Sequence, residues 1–92
     1  MLLLIDIGNT NIVVGCYENE KITQEARIAT DLINTSDQYC MDLKNLLALY
    51  EIQREAVTGV IISSVVPPVL NSVRTAVMKL TGKKPLVVGP GI

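Results

Sequence analysis

The apolar positions of this chain fall into short runs and stripes parted by polar turns. Met1 to Ile5 is continuously apolar, Asp6 to Asn11 interrupts it, and Ile12 to Val14 resumes it. Two strand-length runs joined by a short segment containing Gly and Asn predict a β-hairpin, with Leu2 to Ile7 paired to Asn11 to Tyr17. The first of these strands has little polar alternation, which predicts a central position buried on both faces. Glu18-Asn19-Glu20-Lys21 closes the second strand. Ile22 to Ala29 then reads as a third strand, in which Thr23, Glu25 and Arg27 alternate imperfectly with Ile22, Ala26 and Ile28. Together the three strands predict an antiparallel meander.

The period then changes. After the loop Asp31 to Asn34, Thr35 stands three residues before Gln38 in the spacing of a capping box, so a helix is expected over about 35–50. Tyr39, Leu43, Leu46, Leu47 and Tyr50 recur at intervals of three and four, while Asp42, Lys44 and Asn45 lie off that stripe. This spacing marks a core-facing stripe rather than a cofactor box. Gly59 to Val65 is a near-continuous apolar run of the kind found in buried parallel strands. Pro67-Pro68 cannot continue a sheet and suits the start of a second helix over about 68–81. Val69, Val73, Val77 and Leu80 form its apolar face, and Gly82 its C-terminal stop. Pro85 to Val88 is a last short strand, after which Gly89-Pro90-Gly91 turns the chain.

Helical crossovers that return to the first sheet require right-handed parallel connections, so the order strand, strand, strand, helix, strand, helix, strand predicts an α/β fold. Its mixed five-stranded sheet has the order 3-2-1-4-5. In such sheets ligands bind beyond the carboxyl ends of the parallel strands. Asp6 and Ser63-Ser64 both fall on that rim.

Composition narrows the setting. Ninety-two residues make one small domain, which buries roughly 60 to 65% of its unfolded surface. Phe and Trp are absent and Tyr occurs three times, so Leu, Ile and Val must build the core. The net charge is −1, and the eight basic residues are scattered except at Lys83-Lys84. No basic stripe is available to follow a nucleic-acid backbone, and nucleic acid is not an expected partner. Cys16 and Cys40 match neither a zinc spacing nor a redox pair and read as small hydrophobes. The apolar start has no basic flank and is cut short by Asp6, which does not fit a signal peptide. The run from Val60 to Leu70 is broken by Pro67-Pro68 and is too short to span a bilayer. The expectation is a soluble, cytoplasmic protein without a membrane partner.

The candidate chemistry lies in Asp6-Ile7-Gly8-Asn9-Thr10-Asn11. Glycine lets backbone approach a ligand closely, and the turn N–H groups with Asn9 and Thr10 can donate to phosphoryl oxygens. An ionised Asp6 would repel a bare phosphate, but it can hold a cation that phosphates share, directly or through water. The alternative is a plain polar hairpin turn, for which Gly and Asn supply positive φ at little cost. Ser63 and Ser64 could contact a ligand at the rim or bond to local backbone. Gly89-Pro90-Gly91 reads from its residues as a plain turn. Lys83-Lys84 lacks the Walker spacing and reads as a solvated helix end.

The opening Leu2-Leu3-Leu4-Ile5-Asp6-Ile7-Gly8-Asn9-Thr10-Asn11, the Ile61 to Pro67 segment and the closing Pro85 to Gly91 resemble, in order and spacing, the type III pantothenate kinases. The likeness covers essentially all of the chain. The Asp-x-Gly-Asn-Thr element is shared more loosely with the acetate and sugar kinase, heat-shock ATPase and actin superfamily, so the resemblance implies a ribonuclease H-like, actin-like ATPase domain. It also implies ATP-dependent phosphorylation of pantothenate, the first step toward coenzyme A. Asp6, Ile7, Gly8, Asn9, Thr10, Asn11, Ile12 and Val13 would form the first phosphate-binding element, with Gly8 to Asn11 facing the triphosphate. Asp6 would organise a divalent cation, Mg2+, near the transferred group, and Gly89-Pro90-Gly91, equally a plain turn by its residues, would begin a substrate-binding loop. Members of the family are more than twice this length, with two similar domains per subunit and active sites completed across a homodimer. By that measure residues 1–92 resemble a truncated first domain. The general base, the second phosphate element, the adenosine contacts and a K+ or NH4+ site would lie beyond Ile92, and residues 1–92 alone would be inactive. Two other classes stand beside this one: a sugar or acetate kinase or ATPase of the same superfamily, and a non-enzymatic interaction module.

Overall fold

The computed structural model describes residues 1–89; of the expected Gly89-Pro90-Gly91 turn, Pro90 and Gly91 lie outside the described residues. Five strands form one mixed sheet: β1 (Leu2–Ile7), β2 (Asn11–Glu18), β3 (Lys21–Ala29), β4 (Gly59–Ser64) and β5 (Leu86–Val88). Helix α1 (Ser36–Leu49) and a 3-10 turn (Arg54–Ala56) connect β3 to β4, and helix α2 (Pro67–Thr81) connects β4 to β5. The order is β3-β2-β1-β4-β5. β1 to β3 pair antiparallel, while β1–β4 and β4–β5 pair parallel, as crossover helices require.

The helix stripes pack as their spacing predicts. Thr35 caps α1, its hydroxyl accepting from the Gln38 N–H at 3.1 Å. Only half of the capping box forms, because the Gln38 side chain turns instead to Asp42, 3.0 Å away. Tyr39, Leu43, Leu46 and Leu47 are buried, and Tyr50 is half-buried. On α2, Val69, Val73, Ala76, Val77 and Leu80 are buried. Gly82 ends α2 at φ 70, a left-handed conformation that glycine adopts without steric cost, and its N–H reaches the Met78 carbonyl at 3.0 Å. Lys83 and Lys84 are exposed, as a solvated helix end should be.

Both helices share a single core with Leu3, Ile5 and Ile7 of β1, Ile12, Val14 and Cys16 of β2, and Val60 and Ile62 of β4. These sheet residues lie on one face by register. Burial, and secondarily the Glu18 carboxylate, pushes the Cys16 thiol above its ordinary range, which keeps it protonated and unreactive. The expectation that β1 is buried on both faces therefore needs correcting. Leu2 and Leu4 are half-buried and Asp6 is exposed, because α1 and α2 cover the same side of the sheet. The opposite face presents Leu4, Val13, Ile61 and Leu86 without a covering element among the described residues.

The imperfect alternation in β3 has a structural cause. Register shifts at Cys16/Tyr17, where Gln24 pairs with Cys16 but Ile22 with Tyr17. Thr23 is the extra residue of a β-bulge, and Ile22 is carried to the face opposite Ile28. β4 ends one residue earlier than its apolar run. Val65 still donates to the Ile7 carbonyl at 3.1 Å, but the Ser64 hydroxyl accepts from the Val66 N–H at 2.9 Å and bends the chain toward α2.

The β2–β3 turn holds Asn19 at φ 54 and Glu20 at φ 65. Positive φ at both central positions defines a type I′ hairpin turn, in which Asn suits the first position and Gly the second. A glutamate there carries the steric cost of the left-handed region. Glu20→Gly is expected to stabilise the protein by about 0.5–1 kcal/mol, read as a raised urea midpoint at unchanged m-value. An unchanged or lowered midpoint would show that the Glu20 conformation is not strained.

Candidate phosphate site at the carboxyl rim

Asp6 and the turn after it sit where β1 leaves the sheet. Asp6 lies in register between Val13 of β2 and Ser63 of β4, on the face without helices. It is exposed, and its carboxylate bonds to no described residue. The side chains of Ile7 and Ile12 point the other way, at 0% and 1% exposure, and anchor the hairpin in the core, so they offer a ligand only backbone. Val13 is half-buried beside Asp6. Asn9, Thr10 and Asn11 are exposed, and Gly8 is half-buried.

The turn itself is closed by the Gly8 N–H donating to the Asn11 carbonyl at 2.9 Å. Neither Gly8 nor Asn9 has positive φ, so left-handed permissiveness does not explain the glycine. A Cβ on Gly8 would lie 3.1 Å from the Asn11 carbonyl oxygen, and that close backbone approach does explain it. The Asn11 amide points toward the Thr10 hydroxyl at 3.4 Å. Among the described residues the Asn9 N–H meets no acceptor, as a donor kept for a ligand would.

Two serines that the sequence places on this rim have structural partners. Ser63 is fully buried and its hydroxyl donates to the Gly89 carbonyl at 3.0 Å, tying β4 to the segment after β5. Ser64 is spent on the Val66 backbone. Ser64 thus follows the local-backbone reading, whereas Ser63 bonds backbone distant in the sequence.

A residue the sequence reading left out is Thr30, directly after β3. Its hydroxyl donates to the Gly8 carbonyl at 2.8 Å and its N–H to the Thr10 carbonyl at 2.9 Å. A signal for it exists in the strand pairing, since a register that sets Asn11 against Ala29 carries Thr30 opposite Thr10.

A concavity of about 700 Å³ lies elsewhere. It is lined by Lys44, Ile52, Arg54 and Leu80 among others, near the 3-10 turn that precedes β4, at the foot of the sheet. Its walls carry mixed charges with no convergent set of donors, whereas the rim at Asp6 is an open shelf of donors beside one carboxylate. The rim is the stronger candidate.

The sequence model of the type III pantothenate kinases matches residues 2–92. The chain belongs to this family. Type III pantothenate kinases from Syntrophotalea carbinolica, Bifidobacterium longum subsp. infantis and Exiguobacterium sibiricum are 48%, 45% and 44% identical to it over all 92 residues. The chain spans 36% of the length of each of these kinases. Among solved structures, a ROK hexokinase from Thermus thermophilus superposes with a TM-score of 0.67 at 11% identity, over 96% of this chain and 33% of that one. At that identity the likeness shows a shared fold and nothing of activity. No helix among the described residues is long and apolar enough to cross a membrane.

Proposed function

We propose that this chain is the first of two domains of a kinase that transfers the γ-phosphoryl group of ATP to pantothenate, and that Asp6 to Val13 is its first phosphate-binding element. The observation that carries the reading is the Gly8–Asn11 turn, which sets backbone and side-chain donors beside the exposed Asp6, whose carboxylate bonds to no described residue, at the carboxyl rim of the central strand. Family membership supports pantothenate as the acceptor.

The residues present fit a divalent cation shared with phosphates. Mg2+ keeps several waters and is commonly held by one or two carboxylates plus phosphate oxygens, so a single exposed Asp6 suffices as the protein's share. No cluster of three or more His, Cys, Asp or Glu exists among the described residues, so this part of the chain offers no all-protein metal cage. When bound, the cation would neutralise charge on the phosphoryl oxygens. Asp6 would position it, the Gly8–Asn11 donors would hold the phosphates, and the buried Ile7 and Ile12 would keep the turn from yielding. Activation of the pantothenate hydroxyl, the adenosine contacts, a K+ or NH4+ site and closure of the cleft across a homodimer would fall to the rest of the kinase.

The test is ADP release from ATP by the full-length kinase, with and without pantothenate, in potassium and in sodium buffers. Pantothenate-dependent release is expected, faster in potassium. Release with a sugar or acetate but not with pantothenate would move the substrate elsewhere in the superfamily. No release with any acceptor from a folded protein would overturn the kinase reading.

A further inference from the structure

We infer that Thr30 is a positioning residue that fixes the peptide planes of the phosphate turn, holding its carbonyls away from the ligand and its N–H groups toward it. The inference rests on the phosphate reading of the Gly8–Asn11 turn and adds to it a residue from a different strand.

Thr30 engages two of the turn's carbonyls at once. Its hydroxyl bonds the Gly8 carbonyl at 2.8 Å and its N–H the Thr10 carbonyl at 2.9 Å. A trans peptide is planar, with its C=O and N–H antiparallel. Pinning the Gly8 carbonyl toward Thr30 therefore points the Asn9 N–H away from Thr30, and pinning the Thr10 carbonyl does the same for the Asn11 N–H. Without the hydroxyl, the Gly8–Asn9 plane is free to turn, because glycine resists rotation least of all residues. A turned plane would present a carbonyl oxygen to a triphosphate where a donor should be, exchanging attraction for repulsion.

Thr30 is itself held from behind. Tyr39 of α1, 1% exposed, donates its hydroxyl proton to the Asp31 carbonyl at 2.8 Å and accepts from the Asp31 N–H at 3.0 Å. Asp31 in turn accepts from the Ile33 N–H through its carboxylate at 3.0 Å. The backbone on the far side of Thr30 is thereby fixed to a buried aromatic in the helical layer. The turn is braced by the core of the domain through Tyr39, Asp31 and Thr30 in series.

The test uses the full-length kinase with Thr30→Val, which keeps the β-branched shape and removes the hydroxyl, and Thr30→Ser, which keeps the hydroxyl. Binding of ATP and of AMP is measured by calorimetry, with thermal midpoints alongside. For Thr30→Val, ATP affinity should fall about tenfold, the consequence of losing one well-formed hydrogen bond, while AMP affinity stays within twofold. Thr30→Ser should restore ATP affinity to within about threefold of wild type. Unchanged ATP binding in a folded Thr30→Val protein, or equal losses for ATP and AMP, would overturn the inference. Binding is read apart from turnover, so wild-type protein that binds ATP but ignores pantothenate would reject the substrate reading while the Thr30 comparison stands. Wild-type protein that binds no ATP would overturn both.

Discussion

Asp6→Asn in the full-length kinase is expected to lower kcat by about two to three orders of magnitude, the usual cost of removing one preorganised electrostatic group at a reacting centre. The thermal midpoint should stay nearly constant. Asp6 is exposed and its carboxylate bonds to no described residue, so no contact among the described residues depends on its charge. Its backbone, in contrast, lies in the central strand, paired on both sides to Val13 and Ser63, so the carboxylate is presented from one of the stiffest positions in the domain. Asparagine preserves the size and removes the charge that a shared cation requires. The measurement is kcat as a function of Mg2+ concentration, since a weakened cation site should also need more Mg2+ to saturate. A variant with wild-type kcat and wild-type Mg2+ dependence would remove Asp6 from the mechanism.

Residues 1–92 produced alone are expected to show no pantothenate-dependent ADP release above the uncatalysed background. Phosphoryl transfer is almost wholly a matter of positioning and charge stabilisation around an in-line geometry. The described residues bring one carboxylate and one donor turn to the rim, and the rim is a shelf rather than an enclosed cleft. A second wall would be needed to exclude water and align the acceptor. The assay is coupled ADP detection at high protein concentration, with Asp6→Asn as the blank. Turnover that requires pantothenate and vanishes in that variant would show that residues 1–92 suffice.

Much of this architecture could be read from the residue pattern. The 3-2-1-4-5 order follows from short apolar runs, two helical stripes and the handedness of crossovers, and Tyr39, Leu43, Leu46 and Leu47 pack as their spacing requires. The failures share a cause: they depend on what lies across from a residue, not beside it in sequence. Leu2 and Leu4 are as apolar as Leu3 and Ile5, so the pattern could not tell that both helices would choose the same face. The Thr23 bulge registers in sequence only as blurred alternation. Of the two readings of Gly8, positive φ is absent, and the missing Cβ serves a close approach to the Asn11 backbone, a partner that the sequence does not reveal. Thr30 looks like the start of a loop, and becomes informative only when the β2–β3 register sets it against the turn. At the site, residue types pointed to Asp6 to Asn11 as the candidate turn, but not to Thr30 as the residue that engages its Gly8 and Thr10 carbonyls.

The start of the chain bears on how the protein can be handled. Met1 lies at the foot of β1, where its amino group donates to the Ala56 carbonyl at 2.9 Å and its carbonyl accepts from the Thr58 N–H at 2.9 Å. Six strand residues separate it from the Gly8 turn, roughly 17 Å from Leu2 to Ile7 at the usual rise per residue. An affinity tag or surface linker fused ahead of Met1 keeps an N–H at that nitrogen, so the bond to Ala56 can persist as an ordinary amide. The attachment point then faces away from the rim, leaving the Asp6 end of the sheet open for immobilised nucleotide-binding measurements.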